Sequence, residues 1–169
     1  MKWIGSLHGT GSFLMSETVA IQGHIDESGT FKSLKLKSGL SKELQLDFSQ
    51  VKSISAGGLR LFQVWLAELG VEQLVLHRCS QGILDQLNSL KAISQLKARV
   101  ASVELSLKCP HCSSGVDYLA QRGQDYLEGS VVHRESLDLP QEISCPGCGG
   151  QVPLESEVSS YFAFLKHRN

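Results

Sequence analysis

Long apolar runs are missing from this chain: the longest are only a few residues, far short of the ~20 that a bilayer-spanning helix needs. A soluble, cytoplasmic protein without membrane insertion is therefore expected. No sign of charge prevails either. Sixteen Lys and Arg stand against seventeen Asp and Glu, for a formal charge of −1, and neither sign gathers into a block. General nucleic-acid binding and attachment to an anionic membrane have no compositional support. The opening Met1-Lys2-Trp3-Ile4-Gly5-Ser6-Leu7-His8 has one lysine and no sustained apolar segment, so no signal peptide is expected. His8, His24, His77, His111, His133 and His167 form no recognisable pattern with serine, cysteine or paired carboxylates. H-E-x-x-H, G-x-S-x-G and the deaminase combination of H-x-E with P-C-x-x-C are likewise missing, and no enzyme is expected.

What the chain does have is four cysteines in two knuckles, Cys109-Pro110-His111-Cys112 and Cys145-Pro146-Gly147-Cys148, separated by 32 residues. Each C-x-x-C turn points two thiolates the same way, and two such turns can converge on one tetrahedral metal with no position left for water. One structural zinc ion held by Cys109, Cys112, Cys145 and Cys148 is expected, with iron, two disulfides or unligated buried cysteines as alternatives. The fifth cysteine, Cys79, makes the count odd, which suits reducing cytoplasm better than a disulfide framework. It is expected to be a partly buried structural residue. A segment of about sixty residues is marginal without a staple, and a bound metal supplies folding energy directly. The chain thus divides into residues 1–108, an α/β domain, and residues 109–169, a zinc-ribbon module.

Periodicity places the elements. Phe13-Leu14-Met15 and Val19-Ala20-Ile21 could pair as strands after Trp3-Ile4, with a turn at Gly23-His24-Ile25-Asp26. Phe31, Leu34 and Leu36 could cover a short helix. Leu44, Leu46 and Phe48 alternate at strand period, Val51 to Gly58 reads as a loop, and Leu59, Phe62, Leu66 and Leu69, widened by Trp65, mark a helix that Gly70 stops. Val71 to His77 reads as a strand, Ser80 to Leu90 as a helix with Ile83, Leu84 and Leu87 inward, Lys91 to Leu96 as a loop, and Ala101 to Leu107 as a strand feeding straight into Cys109. Between the knuckles, a short helix is expected within Asp117 to Gln124 and a strand within Ser130 to Leu139. The aromatic stretch Val158 to Leu165 is expected to pack over the ribbon or against the first domain, with a recognition strand as the sharper alternative. This order implies a mixed sheet covered by helices with right-handed crossovers.

The stretch Leu44 to Leu59, with Asp47, Val51, Ile54, Gly58 and Leu59 at matching positions, resembles the signature of the STAS family, the fold of anti-sigma-factor antagonists and of the cytoplasmic domains of sulfate transporters. In that family a strand ending in Asp leads to Asp-Ser-Ser-Gly-Leu at the start of a helix, and a partner kinase can phosphorylate the first serine. The resemblance covers about Val19 to Leu107 and implies a STAS-like mixed sheet with helices. The sequence departs from the pattern where it matters most: Ser55 replaces the Asp, Ala56 the phosphorylated serine and Gly57 the second serine.

The resemblance therefore implies a non-catalytic signalling adaptor that has lost the usual serine switch. Its partner would be a kinase-like or anti-sigma-like regulator or a second copy of the chain. The expected partner surface is Ser53, Ser55, Ala56, Gly57 and Gly58 with the outward Arg60 and Gln63. Two alternatives stay open. A zinc-ribbon regulator associated with nucleic acid would need a basic face, whereas Arg122 and Arg134 are mixed with Asp117, Asp125, Glu128, Glu135 and Asp138. A thiol oxidoreductase would use the C-x-x-C pairs that metal ligation consumes.

Overall fold

The structure, a computed structural model, describes residues 18–34, 43–88, 97–127, 137–154 and 161–162. Along them run β1 (Thr18–Ile25), a 3-10 turn (Thr30–Ser33), β2 (Glu43–Ile54), α1 (Ala56–Glu68), β3 (Gln73–His77), β4 (Cys79–Ser80), α2 (Gln81–Asn88), β5 (Lys97–Val100), β6 (Ser102–Lys108), β7 (Gly115–Gln121), β8 (Glu142–Ser144) and β9 (Gln151–Pro153). The Trp3-Ile4 region, the expected strand at Phe13 to Met15, Leu36 of the short helix, the loop Lys91 to Leu96 and most of the strand Ser130 to Leu139 lie outside the described residues.

The fold is α/β, with mixed pairing and few helices. Leu44, Leu46 and Phe48 alternate along β2 and are all buried, as a period of two requires of a half-covered strand. β2 lies between β1 and β3 in a sheet of order β1-β2-β3-β5 whose three pairings are all parallel. The mixed pairing is in a second sheet, β4-β6-β7, where β4 runs parallel and β7 antiparallel to β6. A third sheet is the antiparallel pair β8-β9. No helix among the described residues is long and apolar enough to cross a membrane.

Two bulges explain why residues 51–58 read as a loop. The register of β1 on β2 shifts between Ala20 and Gln22 and again between Gly23 and His24, each time leaving an extra residue on β2. An extra residue reverses which side faces the core, so alternation ends at Phe48 while the strand continues to Ile54. The Asp47 carboxylate accepts the Ser49 N–H at 2.8 Å beside the first bulge. It closes a turn within the strand. The turn expected at Gly23 to Asp26 is displaced to Asp26 to Gly29, closed by the Gly29 N–H on the Asp26 carbonyl at 3.1 Å. Gly23, at φ +81°, belongs to the second bulge.

α1 begins three residues before the expected Leu59, because Ser55 caps it: its extended backbone turns the hydroxyl back to accept the Gly58 N–H at 3.0 Å. Leu59, Phe62, Trp65 and Leu66 are buried. Phe62 meets Phe31 edge-on at 5.3 Å between ring centres and Phe48 at 6.3 Å, so one aromatic joins helix, 3-10 turn and sheet. Gly70 follows at φ +65°, the left-handed position that ends helices without a side-chain penalty.

β6 and β7 form a hairpin across the first knuckle, pairing Leu107 with Val116, Leu105 with Tyr118 and Val103 with Ala120. This corrects the short helix expected within Asp117 to Gln124. Val116 and Ala120 are buried at strand spacing, and the chain then reverses in a turn tied by Asp125. That carboxylate, 2% exposed, accepts the Gln121 N–H at 2.7 Å and the Tyr118 hydroxyl at 2.9 Å. One apolar cluster runs from Ile21 and Phe31 through Leu105 and Leu107 to Val152, Leu154 and Phe162. Cys79, fully buried on β4 opposite Val103, belongs to it.

Candidate metal centre and the first turn of α1

The two knuckles are built alike, and the backbone explains why. Cys109 follows β6 and Cys145 follows β8. In each, the cysteine N–H donates to the carbonyl five residues on, Ser114 at 2.9 Å and Gly150 at 2.8 Å. The N–H four residues on returns to the cysteine carbonyl, from Ser113 at 2.9 Å and Gly149 at 2.8 Å. Ser113 and Gly149 both take left-handed backbone, at φ +60° and +72°. Such a turn brings both thiols of a knuckle to one side, and the four sulfurs converge.

The four sulfurs lie within 4.8 Å of one another. Cys109 Sγ is 3.6 Å from Cys148 Sγ, and Cys112 Sγ is 3.6 Å from Cys145 Sγ. Cys109 and Cys145 are buried, Cys112 and Cys148 exposed. A group of four soft donors in this arrangement could hold a metal ion, and it is the only such group of His, Cys, Asp or Glu among the described residues. His111, exposed, packs its ring over Gly150, where a side chain would collide with it; it is not in the donor group.

Electrostatics favours a cation here. The Ser114 hydroxyl, then its backbone N–H, hydrogen-bond to Cys112 and hold its thiol down at about 6. At Cys148 the Gly150 N–H pulls the same way, but the neighbouring sulfurs of Cys112 and Cys109 outweigh it and push the thiol up to about 12. Four thiolates so close together cannot all ionise without positive charge between them.

The residues expected to meet a partner lie along the end of β2 and the first turns of α1. Ser53 is exposed, its hydroxyl 2.7 Å from His24 Nδ1 across the β1–β2 pair. Ser55 is the helix cap, Ala56 and Arg60 are exposed, and Gln63 is half-buried. Gly58 is buried against the backbone of Ile25 and Asp26. Gly57 lies beneath the Glu27 side chain, whose carboxylate also accepts the Ser55 hydroxyl at 2.9 Å. Glu27 thus places negative charge at the positive end of α1, a role with no trace in the sequence because its partner is 28 positions away. Val64, 50% exposed on the same helix, was also missed.

Comparison with protein families, with curated proteins and with solved structures finds no match to this chain.

Proposed function

We propose that this chain is a non-catalytic regulatory adaptor: a STAS-like half presents the start of α1 to a protein partner, and one structural zinc ion closes a C-terminal ribbon. The observation that carries the reading is the exposed line of Ala56, Arg60 and Val64 on α1, beside the Ser55 to Gly58 turn that resembles the family's switch. Ala56 offers no hydroxyl for phosphate, and Glu27 already supplies the anionic group at this helix end. The docking surface is accordingly permanent, without a phosphorylation switch.

Zinc is favoured at the ribbon by the donor chemistry. Two opposite sulfur–sulfur distances are 3.6 Å, close to the ~3.8 Å edge of a tetrahedron built on zinc–thiolate bonds of ~2.3 Å. Metal analysis of the purified protein tests this half, with one zinc per chain expected; iron in its place would overturn the assignment.

For the docking surface, affinity capture from the source cell is compared between wild type and Val64→Asp or Arg60→Glu. Both positions are exposed and neither holds the core, so folding and metal content stay unchanged. At least a tenfold loss of the recovered partner is expected. Equal recovery by both folded variants would place the surface elsewhere.

A further inference from the structure

Burial divides the four thiols into two pairs that cross between the knuckles. Cys109 and Cys145 are each 2% exposed, whereas Cys112 and Cys148 face solvent. Each buried sulfur has an exposed sulfur of the other knuckle 3.6 Å away: Cys109 has Cys148, and Cys145 has Cys112. An oxidant arriving from solvent meets Cys112 or Cys148 first. Whichever sulfur it oxidises already has a second nucleophile behind it, on the other hairpin. Cys79, fully buried away from this group, has no such access.

We propose that the centre is a peroxide-responsive modification site, which releases its metal ion as it closes into the cross-knuckle disulfides Cys112–Cys145 and Cys109–Cys148. The inference rests on the metal site and is independent of the adaptor reading. Its chemistry balances with a hydroperoxide as the oxidant. The Cys112 sulfur attacks one oxygen of hydrogen peroxide; the S–O bond forms as the O–O bond breaks, and hydroxide leaves. The Cys145 thiolate then attacks the Cys112 sulfur, forming the S–S bond as the S–O bond breaks and a second hydroxide leaves. Cys148 and Cys109 repeat the sequence. Four thiolates and two peroxides become two disulfides and four hydroxides, and the divalent ion departs because its thiolate ligands are gone.

Joining across the knuckles has a structural result that joining within them would not. Cys109 belongs to the hairpin β6–β7, and Cys145 lies at the end of β8 in the pair β8–β9. Two bonds between them keep those units fastened after the metal has gone. Chelation removes the metal link between them, whereas oxidation replaces it.

The experiment uses the full, metal-loaded chain. Hydrogen peroxide is titrated in while released metal is read with a chromogenic chelator, and the non-reduced protein is digested and mapped by mass spectrometry. Full release at about two peroxides per chain is expected, with peptides joined as Cys112–Cys145 and Cys109–Cys148. The oxidised protein should resist proteolysis like the metal-loaded form, and dithiothreitol with added zinc should restore the site. Metal retained under excess peroxide, disulfides within Cys109–Cys112 or Cys145–Cys148, or protease sensitivity equal to that of chelated protein would each overturn the proposal. Cys79→Ser should behave as wild type; loss of the release in that variant would also count against it.

Discussion

Gly58 of α1 and Ile25 of β1 meet with no room for a side-chain carbon between them. A methyl group on Gly58 would overlap the Ile25 carbonyl oxygen and the Asp26 backbone. The obstacle is backbone held in the sheet by parallel pairing, so it cannot swing aside. Gly58→Ala is expected to cost about 3 kcal/mol, at the upper end of ordinary overpacking. The neighbouring Gly57→Ala meets only the Glu27 side chain, which can move, and better helix propensity offsets the contact, leaving stability within about 1 kcal/mol of wild type. Urea unfolding of the two variants measures the contrast; equal losses would show that the close approach is not what matters.

At the metal centre, Cys145→Ser removes a buried donor and is expected to abolish stoichiometric metal and expose the ribbon to protease. In the metal-free protein Cys112 is the readily ionised thiol, at about 6, chiefly through the Ser114 hydroxyl. Ser114→Ala should move it up toward the ordinary ~8.5. Iodoacetamide alkylation of Cys112 at pH 7 should then slow, and its rate profile should shift to higher pH. An unchanged profile would remove Ser114 from the account.

Tyr118 is pushed up to about 12 by burial first and by the Asp125 carboxylate second. A folded-state value above the unfolded value near 10 means that stability is intact below pH ~10 and falls as pH rises toward 12. Ultraviolet titration should place the transition there, and Tyr118→Phe should remove this part of the alkaline loss. Asp125→Ala would leave the Tyr118 hydroxyl and the Gln121 N–H without their shared acceptor, costing about 2–4 kcal/mol.

His77, on β3, is held below the ordinary imidazole value by burial, against the opposing pull of Asp47 and Glu43. Its Nε2 is 3.2 Å from Gln45 Oε1. A depressed value contributes stability above pH ~6.5 and loses it as pH falls through the folded-state value. His77→Gln should flatten the acid limb of the stability curve below pH 6.5, measured by denaturant midpoints across pH. A limb as steep as in wild type would assign the acid loss to other groups.

Local features carried furthest from sequence to structure. The two knuckles were legible because C-x-x-C fixes its own turn, and the sulfurs do converge. β6, α1 and α2 were legible from periods of two and 3.6, and β3 from its short apolar run Leu74 to Leu76. β4 and β5, two and four residues long, are too short to display a period, and β5 fell unassigned between Leu96 and Ala101. The segment 117–124 invited a helix because no cue revealed that Val116 and Ala120 pair with Leu107 and Val103. Around α1 the decisive partner of Ser55 was Glu27, a contact made by tertiary packing alone. Family resemblance drew attention to the loop but could not say what stands over it.

The late chain reaches back into the early one. The buried Tyr126 hydroxyl donates to the Val100 carbonyl at 2.8 Å, Phe162 packs on Tyr126 at 5.1 Å between ring centres, and the Tyr161 hydroxyl donates to the Ser106 carbonyl at 3.1 Å. During synthesis at ~5–20 residues per second, the strands up to Val100 can pair as they emerge, but β6 must wait several seconds for its Tyr161 contact. In that interval the Ser106 carbonyl has no Tyr161 hydroxyl to accept from. The last hydrogen bond to β6 therefore forms only after residue 161 has left the ribosome.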